Sequence, residues 1–163
     1  MNERLERVGL GYDAHPVAAG RPLVLGGVRI ESDWGLDGHS DADVIAHAIG
    51  DALLGAAGLG DLGMHFPPGE PRWKDASSLT LLHEIVHLVR GRGFRIGNVD
   101  ATLLAERPRL DPHREAMREK LAATLGIPAD RVSVKATTNE GMGFVGRQEG
   151  LAALAVARIV QGD

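Results

Sequence analysis

Two residues near the start of the chain have the types and the spacing to share a metal ion. Asp13 and His15 lie two positions apart in residues 7–15 (RVGLGYDAH), a segment that alternates as an extended strand does. Residues two apart in a strand project from one face, so a carboxylate and an imidazole there can reach the same ion. On this spacing alone, a turn-capping Asp beside a surface His is the commoner interpretation. Further ligands must come from another element.

A helix predicted from Ser40 to near Gly58 offers the third ligand, His47. Apolar residues recur at positions 44, 45, 48, 49, 52, 53 and 56 of that segment. Ser40 is the predicted N-cap, and Asp43 would stand at the third helical position as in a capping box.

His47 lies four residues after Asp43 and four before Asp51, so these polar side chains form a line along the helix. If the strand packs beside the helix, Asp13, His15 and His47 supply three ligands, the number typical of a catalytic zinc with one open position. Asp51 is then predicted to accept a hydrogen bond from the free ring nitrogen of a ligating His. The alternative is a capping Asp43 and a structural His47 at the edge of the buried face.

A second candidate site follows a predicted strand at residues 132–137. Thr137, Thr138 and Glu140 stand there among glycines. Hydroxyls, freed backbone amides and a carboxylate suit a phosphate with a hard cation such as Mg²⁺, although a plain glycine-rich turn fits equally well. Two weaker candidates are the loop Asp61-Leu62-Gly63 with Phe66, which could contact a sugar, and Arg147, whose alternative is a surface ion pair with Glu149.

Composition limits the class of protein. The 163 residues are 44% hydrophobic and 25% charged, with no cysteine and a net charge of -4. These values predict one folded domain over residues 1–163 and exclude disulfides and Cys-ligated metals. The negative balance argues against nucleic acid as a partner. No apolar run is long enough to span a membrane, and the first residues lack a secretory signal, so a cytoplasmic protein is expected.

The predicted elements alternate between strands and helices. Residues 22–30 predict a hairpin turning at Gly26-Gly27, and residues 77–91 and 112–125 predict two further helices. Residues 96–105 and 151–160 predict strands, the second being apolar throughout. The fold class is therefore α/β (α+β), with a mixed sheet covered by helices on one face. We expect antiparallel pairing at the hairpin and crossover helices elsewhere.

Taken together, these motifs resemble the 2-C-methyl-D-erythritol 2,4-cyclodiphosphate synthase family of the non-mevalonate isoprenoid pathway. The resemblance runs almost end to end and is specific because many ordered blocks match. The matching residues are 7–15, 26–30, 39–44, 47, 51–56, 60–63, 97–100, 135–140 and 146–150. One departure is Pro68, where similar members usually carry Asp; Glu70 is a candidate replacement.

The resemblance implies a phosphorus-oxygen lyase. Its members cyclise 4-diphosphocytidyl-2-C-methyl-D-erythritol 2-phosphate and release CMP. Carried over by position, Asp13, His15 and His47 correspond to ligands of Zn²⁺ or a similar cation, and Glu140 to a ligand of Mg²⁺ or Mn²⁺ on the substrate diphosphate. His39 and Thr138 correspond to residues that stabilise the transition state. The implied substrate-binding residues are Ser40, Asp61, Leu62, Gly63, Phe66, Ala105, Arg109, Thr137, Phe144 and Arg147.

The resemblance also implies a homotrimer with active sites between subunits. The uniformly apolar segment 151–160 agrees with this because it would have apolar residues on both faces that need cover. Two alternatives remain, the first of which uses the same three ligands. One is a zinc-dependent phosphohydrolase, and the other is a non-catalytic trimeric protein that binds metal or nucleotide.

Overall fold

The chain forms a five-stranded mixed sheet with helices packed on one face. The computed structural model describes residues 5–162. The strands are β1 (Glu6–Ala19), β2 (Leu23–Leu25), β3 (Val28–Ile30), β4 (Trp34–Leu36), β5 (Phe94–Leu104), β6 (Val132–Thr137) and β7 (Gly150–Gln161). The helices are α1 (Val44–Ala57), α2 (Leu62–His65), α3 (Ser78–Gly91), α4 (Arg114–Leu125) and α5 (Gly143–Gly146). The predicted mixed α/β class is confirmed.

The order of the strands in the sheet is β4-β1-β7-β5-β6. β7 pairs antiparallel with β1 on one side and with β5 on the other, and only β5 and β6 are parallel, joined through α4. The expected crossover helix is found between β5 and β6, but the expectation of crossover helices everywhere outside the hairpin was wrong, since β7 is antiparallel to both of its neighbours. The reason is that the last strand inserts between the first and the fifth, a long-range choice that no local periodicity encodes. The strand predicted over 151–160 is confirmed as β7.

The predicted hairpin is confirmed and is tied to the start of α1. Gly26 and Gly27 have φ angles of +57° and +75°, values that favour glycine, and they join β2 to β3 in a small separate sheet. Asp43 accepts hydrogen bonds from both of their amides, at 2.8 and 2.6 Å, and from the amide of Ala46 at 3.1 Å. One buried carboxylate therefore fixes both the turn and the helix start.

Asp43, and not Ser40, is the N-cap of α1. The predicted capping box was wrong because Ala42 has a φ of +57°, which breaks helical geometry between the two residues. Ser40 is left free to face His47. Other boundaries differ by small amounts: β1 extends to Ala19, and the predicted loop after α1 contains the short helix α2.

Two glycines bring β1 directly against α1. A Cβ atom on Gly9 would lie 1.9 Å from the carbonyl oxygen of Ala52, and one on Gly11 would lie 1.9 Å from that of Ala48. Only glycine permits so close an approach between the strand and the helix backbone. Asp13 and His15 have the same parity as these glycines, so their side chains point at the amino-terminal part of α1. The predicted packing of strand against helix is confirmed.

Across residues 5–162 there is no helix with the length and apolar character needed to span a membrane.

Candidate functional site: a metal centre beside an open cavity

Asp13, His15 and His47 converge on one point. Asp13 Oδ2 lies 2.8 Å from His15 Nε2 and 3.1 Å from His47 Nδ1, and the two ring nitrogens are 3.2 Å apart. All three side chains are partly buried. They form the one group of three or more metal-binding side chains in residues 5–162.

The far side of the His15 ring is held by the backbone. His15 Nδ1 lies 2.8 Å from the carbonyl oxygen of Asp37, which accepts only. Nδ1 must therefore carry a proton and donate it to that carbonyl. In the neutral ring this leaves the lone pair on Nε2, the atom that faces Asp13.

The far side of the His47 ring is held by a serine and an aspartate. The hydroxyl of Ser78 donates its proton to Asp41, and the amide of Ser78 donates to the same carboxylate at 3.0 Å. Because a hydroxyl has one proton, Ser78 Oγ can only accept from His47 Nε2, which lies 2.8 Å away. In the neutral ring the lone pair of His47 is then on Nδ1, toward Asp13. Ser40 Oγ lies 3.1 Å from the same Nε2.

The electrostatics of the cluster require a positive charge at its centre. Three lone-pair atoms at separations of 2.8–3.2 Å repel one another unless a proton or a cation lies among them. Burial lowers the pKa of His15, but the hydrogen bond and charge of Asp13 outweigh it, so the net pKa is raised. Burial likewise raises the pKa of Asp13, yet the hydrogen bonds from both imidazoles leave it below its ordinary value. Two imidazoles and a carboxylate with this polarisation fit a divalent metal ion such as zinc.

Asp51 does not make the contact predicted for it. Its Oδ1 accepts from the amide of Leu62 at 2.8 Å, which ties α1 to the start of α2. The outward ring nitrogens face Asp37 and Ser78 instead, so the prediction that Asp51 orients a ligating His was wrong. Helical spacing alone placed Asp51 on the correct face but could not give its partner. Burial, together with the charges of Asp13 and Asp61, raises the pKa of Asp51 despite that hydrogen bond.

A cavity of about 490 Å³ opens beside the three ligands. Ten of the site residues predicted from the sequence line this cavity: Asp13, His15, His39, Ser40, His47, Asp51, Asp61, Leu62, Gly63 and Phe66. Pro68, Trp73 and Leu81 complete the lining. His39 Nε2 lies 3.2 Å from the carbonyl oxygen of Glu70, which fixes its ring at the rim. Asp61 caps α2 through the amide of Met64 at 3.0 Å.

The remaining predicted residues do not line this cavity. They are Ala105, Arg109, Thr137, Thr138, Glu140, Phe144 and Arg147. The strand register places Ala14, Ala152, Leu104 and Thr137 side by side on β1, β7, β5 and β6. Thr137 is therefore three strand spacings, about 14 Å, from the strand that holds the metal group.

Glu106 shapes the segment after β6. Its Oε1 accepts from the amides of Asn139 and Gly141, at 3.0 and 3.3 Å. Within this turn Glu140 has a φ of +52°, which is uncommon for a residue other than glycine, and its side chain is exposed. Thr138 Oγ1 lies 3.5 Å from a Glu140 oxygen. The turn therefore presents a hydroxyl and a carboxylate together toward solvent.

Arg147 and Phe144 lie elsewhere on the surface. Arg147 makes two hydrogen bonds to Glu149, at 3.0 and 3.2 Å, and both side chains are exposed. Phe144 lines a second, open depression with His15 and Gly150.

Sequence reasoning missed Asp37, Asp41 and Ser78. Asp41 was visible inside the motif His39-Ser40-Asp41-Ala42-Asp43, where four polar side chains precede an apolar helix. Ser78 gave no signal beyond its position at the start of α3, because its contact with His47 spans 31 residues.

The fold and the site together define a mixed α/β domain with a three-ligand metal centre. The chain belongs to the YgbB family, whose model matches residues 6–160. It is 60% identical over 152 residues to the 2-C-methyl-D-erythritol 2,4-cyclodiphosphate synthase of Symbiobacterium thermophilum, which covers 93% of this chain and 97% of that protein. It is also 63% identical over 153 residues to a bifunctional enzyme IspD/IspF of Anaeromyxobacter dehalogenans, in which it spans 39% of the length.

Solved structures show the same fold. The bifunctional IspDF of Campylobacter jejuni superposes with a TM-score of 0.95 and 42% identity, covering 99% of this chain and 44% of that one. A CDP-bound structure of 2C-methyl-D-erythritol-2,4-cyclodiphosphate synthase superposes with a TM-score of 0.85 and 40% identity, covering 93% and 98%. The family resemblance drawn from the motifs is confirmed.

Proposed function

We propose that this chain is a cyclodiphosphate synthase that converts 4-diphosphocytidyl-2-C-methyl-D-erythritol 2-phosphate into 2-C-methyl-D-erythritol 2,4-cyclodiphosphate and CMP. The observation that carries the proposal is the Asp13–His15–His47 group facing a cavity, in a chain 60% identical to a protein of that name along 97% of its length. The names of the relatives and the CDP in one of their structures give the substrate class.

The reaction balances without water. An oxygen of the 2-phosphate forms a bond to the β-phosphorus, and the bond between that phosphorus and the bridging oxygen breaks. CMP leaves with the bridging oxygen. A Zn²⁺ ion and a Mg²⁺ or Mn²⁺ ion, when bound, would supply Lewis-acid polarisation of phosphoryl oxygens and positive charge. Asp13, His15 and His47 would hold the first ion, and Glu140 the second.

The other residues bind and orient the substrate. His39 and Thr138 are the proposed catalytic residues, and they stabilise phosphoryl oxygens as charge builds on them. Ser40, Asp61, Leu62, Gly63 and Phe66 surround the erythritol end, since they line the cavity beside the metal group. The cytidyl end of the substrate, or the route by which it enters the site, is contacted by Ala105, Arg109, Thr137, Phe144 and Arg147.

Two observations support a homotrimer with active sites between subunits. Val8 and Leu10 are 67% and 69% exposed, and with Tyr12, Leu154 and Val156 they make an apolar patch on the sheet face away from the helices. Such a patch is typical of a contact between chains. In addition, Thr138 and Glu140 follow Thr137, which lies three strand spacings, about 14 Å, from β1, and neither lines the cavity at the metal group of the same chain. A neighbouring chain can therefore supply its own copies of these residues.

Product analysis tests the chemistry. The purified chain, loaded with Zn²⁺ and supplied with Mg²⁺, is incubated with the cytidyl diphosphate substrate, and phosphorus NMR follows the products. The proposal expects a cyclic diphosphate and CMP in equal amounts. Inorganic phosphate would point to a phosphohydrolase, and binding without turnover to a non-catalytic protein; either result would overturn the proposal.

Subunit mixing tests the assembly. Light scattering should give three times the mass of the chain. A His47→Ala chain and a Thr138→Ala chain, each inactive alone, should regain activity when their subunits exchange, because some hybrid sites combine two intact halves. A fully active monomer, or no recovery despite exchange shown by native mass spectrometry, would refute sites shared between chains.

Two further predictions concern the whole chain. We propose that residues 1–163 act as one domain, for which a single cooperative unfolding transition is the test. A cytoplasmic location is proposed from the sequence, and cell fractionation tests it.

A further inference from the structure

Helix α3 carries the sequence His83-Glu84-Ile85-Val86-His87, which plays no part in the proposed function. Two histidines four residues apart lie one above the other on a helix face. The structure bears this out, since the ring centroids of His83 and His87 are 4.6 Å apart. This H-E-x-x-H spacing is the one by which helices offer two imidazoles to a single metal ion.

The pair lies on the solvent-facing side of α3. His83, Glu84 and His87 are exposed, while Ile85 and Val86 between them are buried. Within residues 5–162 no hydrogen bond or salt bridge engages either ring. Both imidazoles are therefore available to an ion from solvent without breaking an existing contact.

The surroundings exclude the peptidase that this motif serves in other folds. Such an enzyme needs a third protein ligand and a cleft for the substrate. The Asp13 group is the one set of three or more metal-binding side chains in the described part of the chain, and it includes neither histidine. The pair is thus suited to binding a metal and not to hydrolysis.

We propose that His83 and His87 form a second metal site, a surface chelate for a divalent transition-metal ion of the Zn²⁺, Ni²⁺ or Cu²⁺ class. Imidazole nitrogens favour these ions over Mg²⁺ and Ca²⁺, which prefer oxygen. The remaining coordination positions are taken by water. The site does not depend on the proposed function, because it shares no residue with the Asp13 group. Zinc analysis of the chain in excess metal should therefore give more zinc than the single ion that the Asp13 group would hold.

Calorimetric titration of the untagged, full-length chain with Zn²⁺ at about pH 7.5 tests the site. The wild-type chain should bind two equivalents, one of them at the Asp13 group. His83→Gln or His87→Gln should lower the affinity for the second Zn²⁺ equivalent by roughly 100-fold, because one of the two linked imidazole contacts is lost. His15→Ala should remove the other equivalent and leave this one in place. Synthase activity should be unchanged in the two Gln variants.

A matched variant separates chelation from the mere number of histidines. The double variant His87→Gln/Arg90→His keeps two histidines on the same helix but places them seven residues, about 10.5 Å, apart. It should bind as weakly as His87→Gln, and retention on a Ni²⁺ column should fall to the same degree. Three results would each overturn the proposal. The wild-type chain could bind only one equivalent of Zn²⁺, the double variant His83→Gln/His87→Gln could still bind two, or the pair seven residues apart could bind Zn²⁺ tightly. Absence of synthase turnover in a wild-type chain that still binds the second Zn²⁺ equivalent would instead count against the proposed function.

Discussion

The two groups of predicted functional residues differ in how completely one chain builds them. Around the start of α1, Asp13, His15 and His47 are held on both sides, by one another and by Asp37, Ser78 and Asp41. After β6, Thr138 and Glu140 lie exposed on a turn whose backbone is fixed by Glu106.

This contrast shows which part of the site is set before ligands arrive. The metal group has its ring orientations fixed by the Asp37 carbonyl and by the buried Ser78, so it is organised in advance for an ion. The carboxylate of Glu140 still has full access to water, so it is free to move onto a cation and a phosphate when they bind. Variants in the two regions should therefore fail in different ways.

The largest effect is expected at the preorganised group. His47→Ala removes one of three ligands, and both zinc content and turnover should fall, turnover by about 10³-fold, since a Lewis acid supplies several kcal/mol. Plasma emission spectrometry and the product assay measure the two quantities. His113→Ala, which lies outside the site at the start of α4, is the control. Full zinc occupancy in His47→Ala would remove His47 from the ligand set.

A smaller loss is expected from the support behind the ring. Ser78→Ala deletes the nearer of the two hydroxyls at His47 Nε2, the one tied to Asp41, and zinc affinity should fall by roughly 10–100-fold. Competition with a chromogenic chelator measures it. Ser77→Ala, next along the chain, removes only a helix cap and should leave zinc affinity unchanged. Equal affinities in the two variants would mean that the buried partners do not organise the centre.

In the exposed region, Glu140→Gln should separate the two ions. It removes a charge but keeps the shape, so the Mg²⁺ or Mn²⁺ concentration that supports half-maximal activity should rise by roughly tenfold while zinc content and unfolding stay unchanged. Activity measured against Mg²⁺ concentration gives the shift. An unaltered metal requirement would place Glu140 outside the site and weaken the contrast between the regions.

The smallest effect concerns pH and Asp43. Burial, with the nearby charge of Asp41, raises the pKa of Asp43 from 3.8 to about 6, against the hydrogen bonds it accepts from backbone amides. The folded protein therefore holds this proton more tightly than the unfolded chain. The contribution of Asp43 to the free energy of unfolding is full below about pH 4 and is lost as the pH rises through about 6.

Urea unfolding between about pH 4 and pH 7 measures this dependence. In Asp43→Asn, the contribution of Asp43 to the slope of the free energy of unfolding against pH should disappear. Asp130→Asn, at an exposed position, should keep the wild-type slope. Parallel curves for Asp43→Asn and wild type would contradict a raised pKa.

Local patterns predicted the elements well. Strand parity placed Asp13 and His15 on one face, the apolar period placed α1, and the Gly26-Gly27 pair gave the hairpin turn. These succeed because a side chain's direction and a turn's φ angles depend on a few neighbouring residues. The N-cap of α1 was misplaced by three residues because the left-handed Ala42 has no sequence signature.

The sequence by itself determined the ligand types, their parity and the family, since residue identities and short spacings carry that information. Only the tertiary structure decided which groups meet. Ser78 reaches His47 across 31 residues, β7 inserts between β1 and β5, and Asp51 turns to the amide of Leu62 instead of an imidazole. Such contacts depend on how whole elements pack. The close approach of β1 to α1 at Gly9 and Gly11 is an example, because it joins backbone segments that are far apart in the sequence.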